Sequence, residues 1–115
     1  MALSKINFSG AGIKAPTTLT DAATITPDFA NNNVFTVTLG GNRTIANPSN
    51  TEPGQSGSIF LIQDSTGGRV VSWGNYWEFP ANSAPTLSSA ANKIDRIDYI
   101  VRATSNVHAV FTGDY

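Results

Sequence analysis

Alternation of apolar and polar residues is the feature that most limits the fold of this chain. In residues 34–39, Phe35, Val37 and Leu39 alternate with two threonines. Side chains along a strand point to opposite faces in turn, so these three would share one buried face. The same period of two recurs in two segments near the C-terminus, separated by the turn-forming residues 104–106. These patterns predict half-buried β-strands, the last two of them paired as a hairpin.

Composition supports the same fold class. The 115 residues include 11 Ser, 13 Thr and 11 Asn, together with 10 Gly and 6 Pro. These residue types disfavour helices and favour strands and turns, which rules out an all-helical protein. The length suffices for one domain.

Two further segments complete the predicted architecture. Residues 59–62 are four consecutive apolar residues, which predicts a strand covered on both faces. The turn-forming residues 64–68 separate them from residues 69–73, so we expect a central hairpin here. With short strands near residues 22–26, 44–46 and 76–79, the chain is predicted to be all-β: an antiparallel, jelly-roll-like β-sandwich over residues 34–115.

Residues 1–33 differ from the rest, because their apolar residues are isolated and no period of 2 or 3.6 is sustained. We interpret this segment as an extended N-terminal arm that contacts its own domain or a neighbouring chain at intervals. The candidate anchors are Leu3, Ile6, Phe8 and Ile13.

Charge and residue content exclude most reactive sites. The net charge is −1 and only seven Lys and Arg are present, so neither nucleic acid nor a membrane is an expected partner. There is no Cys and the only histidine is His108, which argues against thiol chemistry and a multi-histidine metal site. Asp95 and Asp98 are three residues apart and would lie on opposite faces of a strand, so they form no catalytic pair. We expect no catalytic residue, no cofactor and no metal.

His108 falls on the polar face of the last strand, which indicates a cross-strand hydrogen bond or a subunit contact. Trp73, Tyr76 and Trp77 lie within five positions among neutral hydrogen-bonding residues. Such rings can stack on sugars, or they can close one end of the core or fill a subunit boundary. The three aromatic residues are therefore candidates for glycan or subunit contact.

Four blocks of sequence, in this order, resemble a module of bacteriophage virion proteins, often the terminal piece of tail-fibre-like or other particle-surface chains: VFTVTLGGNRTIANPSN, PGQSGSIFLIQDSTGGRVVSWG, APTLSS and DRIDYIVRATSNVHAVFTGDY. The resemblance covers residues 33–115. It implies a non-enzymatic structural protein at the virion surface, synthesised in the host cytoplasm.

The short arm suits a small decoration or cement protein on a capsid or tail surface. A domain without disulfides gains stability by packing against copies of itself, so we expect a homotrimer. Its other expected partners are phage structural proteins such as the major capsid protein or tail proteins. The alternative is a tail-fibre tip that recognises host surface glycans.

Overall fold

The computed structural model describes residues 13–115. In this part of the chain the regular elements are nine strands and one 3-10 turn at Pro80–Asn82: β1 (Thr17–Thr18), β2 (Thr24–Ile25), β3 (Val34–Leu39), β4 (Arg43–Ile45), β5 (Ser56–Gln63), β6 (Val71–Trp73), β7 (Trp77–Glu78), β8 (Ile94–Ala103) and β9 (Asn106–Thr112). The predicted all-β class is confirmed.

The strands form two sheets that the chain visits alternately. The larger sheet has the order β1-β3-β5-β8-β9-β7 and the smaller one the order β2-β4-β6. From β1 to β6 each strand therefore lies in the opposite sheet from the strand before it, and neighbours within each sheet are parallel. The first half of the domain is thus three stacked coils, each giving one strand to each sheet.

The expectation of a purely antiparallel, jelly-roll-like sandwich is therefore corrected to a mixed arrangement. Only the pairs β5–β8 and β8–β9 are antiparallel among the described strands. A parallel pair needs a crossover connection, usually a helix. Between the parallel strands of the first half, the connecting element is a strand of the other sheet. A further parallel pair joins β7 to β9. The burial pattern of a sequence does not distinguish parallel from antiparallel pairing. A strand with one buried face shows the same alternation of apolar and polar residues in both.

The two predicted hairpins have different outcomes. β8 and β9 form an antiparallel pair with Ile97 opposite Phe111 and Val101 opposite Val107, which confirms the second hairpin. The central hairpin is wrong, because β5 and β6 lie in different sheets. The segment between them turns the chain from one sheet to the other.

The core lies between the sheets. Phe35, Val37 and Leu39 of β3 are 0–1% exposed, as their alternation predicts. Beside them Phe29 stacks on Tyr99 with ring centroids 4.6 Å apart and meets Trp77 edge-on at 6.3 Å. Offset and edge-to-face contacts between aromatic rings add to the free energy gained from burial.

Two buried polar side chains hold the loops at the ends of β5 and β8. The Gln63 amide donates to the carbonyl oxygens of Arg69 and Ser88, and its oxygen accepts from Arg69 N–H, each at 2.9 Å. Asp95, 1% exposed, accepts from the backbone N–H groups of Ser88 at 2.7 Å and Asp114 at 3.0 Å. Because a buried polar group needs such partners, these bonds fix the paths of both loops.

The described part of the predicted arm contains the first of the three stacked coils. β1 and β2 pair with β3 and β4, and Ile25 and Phe29 are buried in the core. Ile13 is 60% exposed. The other candidate anchors, Leu3, Ile6 and Phe8, lie outside the described residues.

Candidate functional site

The outer face of the six-stranded sheet, turned away from the smaller sheet, carries apolar side chains. On this face Ile100 is 51% exposed and Val110 is 49% exposed, while Phe60 and Ile62 are partly buried. The run of residues 59–62 predicted a strand covered on both sides. The smaller sheet covers its inner side, whereas the outer side is only partly covered by the residues that the structure describes.

Strand register brings the two most exposed of these residues together. Ile100 pairs with His108, and Asp98 pairs with Val110. Ile100 and Val110 are therefore diagonal neighbours across two antiparallel strands, within reach of one contact surface. They line a groove of about 480 Å³ that continues to Phe79 and Pro80. We call this groove, with Ile100 and Val110, the outer-face groove.

Charged residues of both signs border the outer-face groove. Glu78 Oε1 lies 2.9 Å from His108 Nε2, and Glu78 Oε2 accepts a hydrogen bond of 2.9 Å from Asn106. Arg102 Nε lies 3.0 Å from the same His108 nitrogen. That nitrogen donates to Glu78 only when it carries a proton and accepts from Arg102 only when it does not, so the two contacts are alternatives. The predicted cross-strand role of His108 is confirmed.

Asp98 and Arg96 form a second group of charged residues, next to Val110. Asp98 accepts a hydrogen bond of 2.6 Å from the Ser58 hydroxyl, and its Oδ1 lies 3.1 Å from Arg96 Nε. The Arg96 guanidinium is 5.7 Å from the centre of the Tyr115 ring. The apolar patch is thus flanked by acidic and basic side chains, an arrangement that suits contact with another protein surface.

Asp95 and Asp98 lie on opposite faces of β8. Asp95 is buried on the inner face, whereas Asp98 is on the outer face, as their spacing predicts. Within residues 13–115, no group of three or more metal-binding side chains is found. In the same part of the chain, no helix is long and apolar enough to cross a membrane.

The three candidate aromatic residues do not share one exposed surface. Trp77 is 6% exposed, and its Nε1 donates a 3.0 Å hydrogen bond to the Ala46 carbonyl oxygen inside the domain. Trp73 and Tyr76 are only partly buried and pack against the core. Trp73 meets Trp77 and Phe79 edge-on, at 5.1 and 5.0 Å. Ring contact with a partner is therefore open to Trp73 and Tyr76, and not to Trp77 in this conformation.

Sequence reasoning did not single out Ile100 or Val110, although a signal for both was present. Strand β8 places Asp98 and Arg102 on its outer face, and Ile100 lies between them on that face. Val110 likewise shares a face with His108. A single exposed apolar residue is common on protein surfaces, so the sequence signal gains meaning only from the strand pairing that makes Ile100 and Val110 neighbours.

Two stacked sheets, the larger with an outer face that carries exposed apolar and charged side chains, define the class of this molecule: an all-β module. Residues 25–106 match the family model described as "Putative phage tail fibre C-terminal domain". The chain belongs to this family, and it is therefore a structural, virion-associated protein of a bacteriophage. The comparison with curated proteins found no match, and neither did the comparison with solved structures.

Proposed function

We propose that this protein is a terminal module of a phage tail-fibre assembly that acts without catalysis. Three copies associate through their outer sheet faces and present the remaining surface at the outside of the virion. The observation that carries this proposal is the pair Ile100 and Val110, half exposed and diagonal neighbours on the outer face of the six-stranded sheet.

The physical reason for association is the free energy gained when the patch leaves water. Burial of apolar surface contributes about 25 cal/mol per Å². A closed symmetric assembly, here a homotrimer, buries the same patch in every copy. The bordering groups carry both signs, with Glu78 and Asp98 acidic and Arg96 and Arg102 basic, so one copy can offer complementary charges to the next.

Substitution of the patch tests this association. The double variant Ile100→Asp/Val110→Asp places two charges in the proposed interface and should sediment as a monomer, with the circular dichroism of the unmodified chain. Val70→Asp is the matched control, because Val70 is 54% exposed and precedes β6 of the other sheet. The control should keep the mass of the unmodified chain, and an unchanged mass for the double variant would refute the interface.

The position on the particle is a separate part of the proposal. The family match favours the tail fibre over the alternative placement, a decoration protein on the capsid or tail surface that contacts the major capsid or tail proteins. Gold-labelled antibodies against this chain distinguish the two in electron micrographs of intact virions. Labels at the fibre ends support the proposal, and labels distributed over the capsid contradict it.

A further inference from the structure

The only histidine of the chain lines the outer-face groove. His108 is on β9, where it pairs directly with Ile100 of β8. Its side chain is 49% exposed, and it lies on the same face of β9 as Val110. A surface that covers the two apolar side chains therefore covers the imidazole ring as well.

Two groups of opposite charge contact His108, one from each neighbouring strand. Glu78 is opposite His108 on β7, and its Oε1 lies 2.9 Å from the imidazole Nε2. Arg102 is on β8, two positions after Ile100, and its Nε lies 3.0 Å from the same nitrogen. We call His108, Glu78 and Arg102 the histidine cluster.

The two contacts with Nε2 respond in opposite ways to a proton. In neutral imidazole one of the two ring nitrogens is an acceptor, so Nε2 can accept the hydrogen bond of Arg102 Nε. In the protonated ring both nitrogens carry a hydrogen, and Nε2 can only donate to the Glu78 carboxylate. Protonation therefore removes the acceptor of Arg102 and leaves its guanidinium beside a second cation.

The charges along the groove are balanced while His108 is neutral. The Glu78 carboxylate has the Arg102 guanidinium 3.8 Å away, and the Asp98 carboxylate has Arg96 Nε at 3.1 Å. Asp98 and Arg102 are the charged residues of β8 on either side of Ile100, and β9 carries no ionisable side chain besides His108. On these strands, a proton on His108 thus adds a positive charge for which each carboxylate already has a partner.

An added charge at this position opposes association. A covered imidazolium ring loses its contact with water, and burial disfavours the charged form of an ionisable group. In a symmetric trimer the excess charge occurs three times in equivalent positions, and equal charges across an interface repel.

We propose that protonation of His108 weakens the association of the three copies, so that the assembly is firm at neutral pH and loosens in mildly acidic solution. Histidine is the side chain whose charge ordinarily changes between about pH 5 and pH 8. This regulation rests on the association through the outer-face groove proposed above, and it adds the condition under which that association is reversed.

The first measurement is sedimentation equilibrium of the full chain at about pH 8 and about pH 5.5, at equal ionic strength. The concentration at which half of the trimers dissociate should be about tenfold higher at the acidic pH. Circular dichroism at the two pH values should be the same, because the domain itself stays folded.

Two substitutions of His108 fix its charge. His108→Gln is neutral at every pH and keeps a donor and an acceptor, so its association should be equal at both pH values. It also separates His108 from the terminal α-amino group, which titrates in the same range. His108→Lys is always charged and should associate at both pH values as weakly as the unmodified chain does in acid.

Val70→Lys is the matched control for the lysine variant. Val70 is 54% exposed and precedes β6 of the other sheet, so the same charge is added away from the groove. This control should associate like the unmodified chain at each pH.

The exchange of hydrogen-bond partners has a readout of its own in NMR spectra. The Nε–H signal of Arg102, assigned with an Arg102→Lys variant, should move with the same midpoint as the ring signals of His108. This signal reports on each chain whether or not the chain is assembled.

The possible failures are distinguishable. Trimers of equal stability at the two pH values would overturn the regulation by His108 and leave the association intact. A chain that is monomeric at both pH values would overturn the association and the regulation with it. Full pH dependence in His108→Gln, or an Arg102 signal that stays constant while His108 titrates, would contradict the role given to the imidazole ring.

Discussion

The hydroxyl of Tyr99 donates a 2.7 Å hydrogen bond to the backbone carbonyl oxygen of Asn33, 66 residues earlier in the chain. Tyr99 lies in β8 and Asn33 directly precedes β3, with β5 between the two strands. The backbone N–H of Ser58 donates to the same oxygen at 3.0 Å. Burial raises the pKa of Tyr99 well above its usual value, so the hydroxyl remains a neutral donor. This bond connects the three stacked coils of the N-terminal half to the β8–β9 hairpin.

Removal of the hydroxyl in Tyr99→Phe should lower the free energy of unfolding by about 1 kcal/mol. The loss stays moderate because the Asn33 carbonyl keeps its hydrogen bond from Ser58, and the ring can still stack on Phe29. Urea denaturation measures the change. Tyr115→Phe is the control, since Tyr115 is 57% exposed, and its effect should stay within about 0.5 kcal/mol. Equal losses in the two variants would contradict the role assigned to the Tyr99 bond.

Strand β5 lies between Asn33 and Tyr99 and comes close to both at Gly57, where there is no room for a side chain. A Cβ at this position would overlap the Asn33 carbonyl oxygen and lie 2.7 Å from the Tyr99 hydroxyl. Gly57→Ala should therefore destabilise the domain by about 1–3 kcal/mol or more, because backbone atoms must move.

Gly41→Ala is the control for this substitution. The nearest atoms to its added Cβ belong to the flexible Arg43 guanidinium, at 2.7 Å, which can move away. Its cost should be clearly smaller in the same urea titration. A Gly57→Ala variant as stable as Gly41→Ala would show that the close approach of Asn33 is not required.

The Asp64–Arg69 ion pair makes stability depend on pH in the acid range. The Arg69 guanidinium, 2.8 Å away, lowers the pKa of Asp64 to about 2 from its ordinary value of 3.8, and the backbone N–H groups of Thr66 and Gly67 assist. Because the folded pKa is the lower one, the contribution to stability is complete above the ordinary value. It is lost as the pH falls through about 2.

Asp64→Asn should therefore reduce the stability lost between about pH 5 and about pH 2, measured by urea unfolding at each pH. Glu52→Gln serves as the comparison, because Glu52 is exposed and forms no ion pair among the described residues. If Asp64→Asn showed the same acid loss as Glu52→Gln, the ion pair would not be the cause.

The half-buried strands could be predicted from residues alone. Phe35, Val37 and Leu39 alternate and are buried, and the β8–β9 hairpin was indicated by alternation on both sides of a turn. In these segments the apolar residues of the alternating sequence are the ones that the fold buries. The face on which each side chain lies therefore follows from the alternation alone.

The parallel coils could not be predicted in this way. The paired positions Thr17, Phe35 and Ile59 are separated by 18 and then 24 residues, so no fixed period marks the repeat. Periodic sequence is what normally identifies stacked coils. The loops between strands vary in length, because they lie at the edges of the sheets and need not superimpose.

The candidate aromatic site shows the same contrast between what local sequence indicates and what depends on the packing of distant strands. Clustering of aromatic residues in the sequence drew attention to Trp73 and Trp77 together, but Trp77 faces the core and Trp73 the margin of the domain. Residues on β6 and β7 belong to different sheets, so their relative orientation depends on packing between the sheets. Sequence spacing carries no information on that packing.

The mass of the unmodified chain in solution tests the central claim, association through the outer sheet face, most directly. Sedimentation equilibrium at micromolar concentration should give three times the chain mass of 12.1 kDa. A single species of 12.1 kDa over the same concentrations would contradict the account, because the apolar pair Ile100 and Val110 would then remain in water.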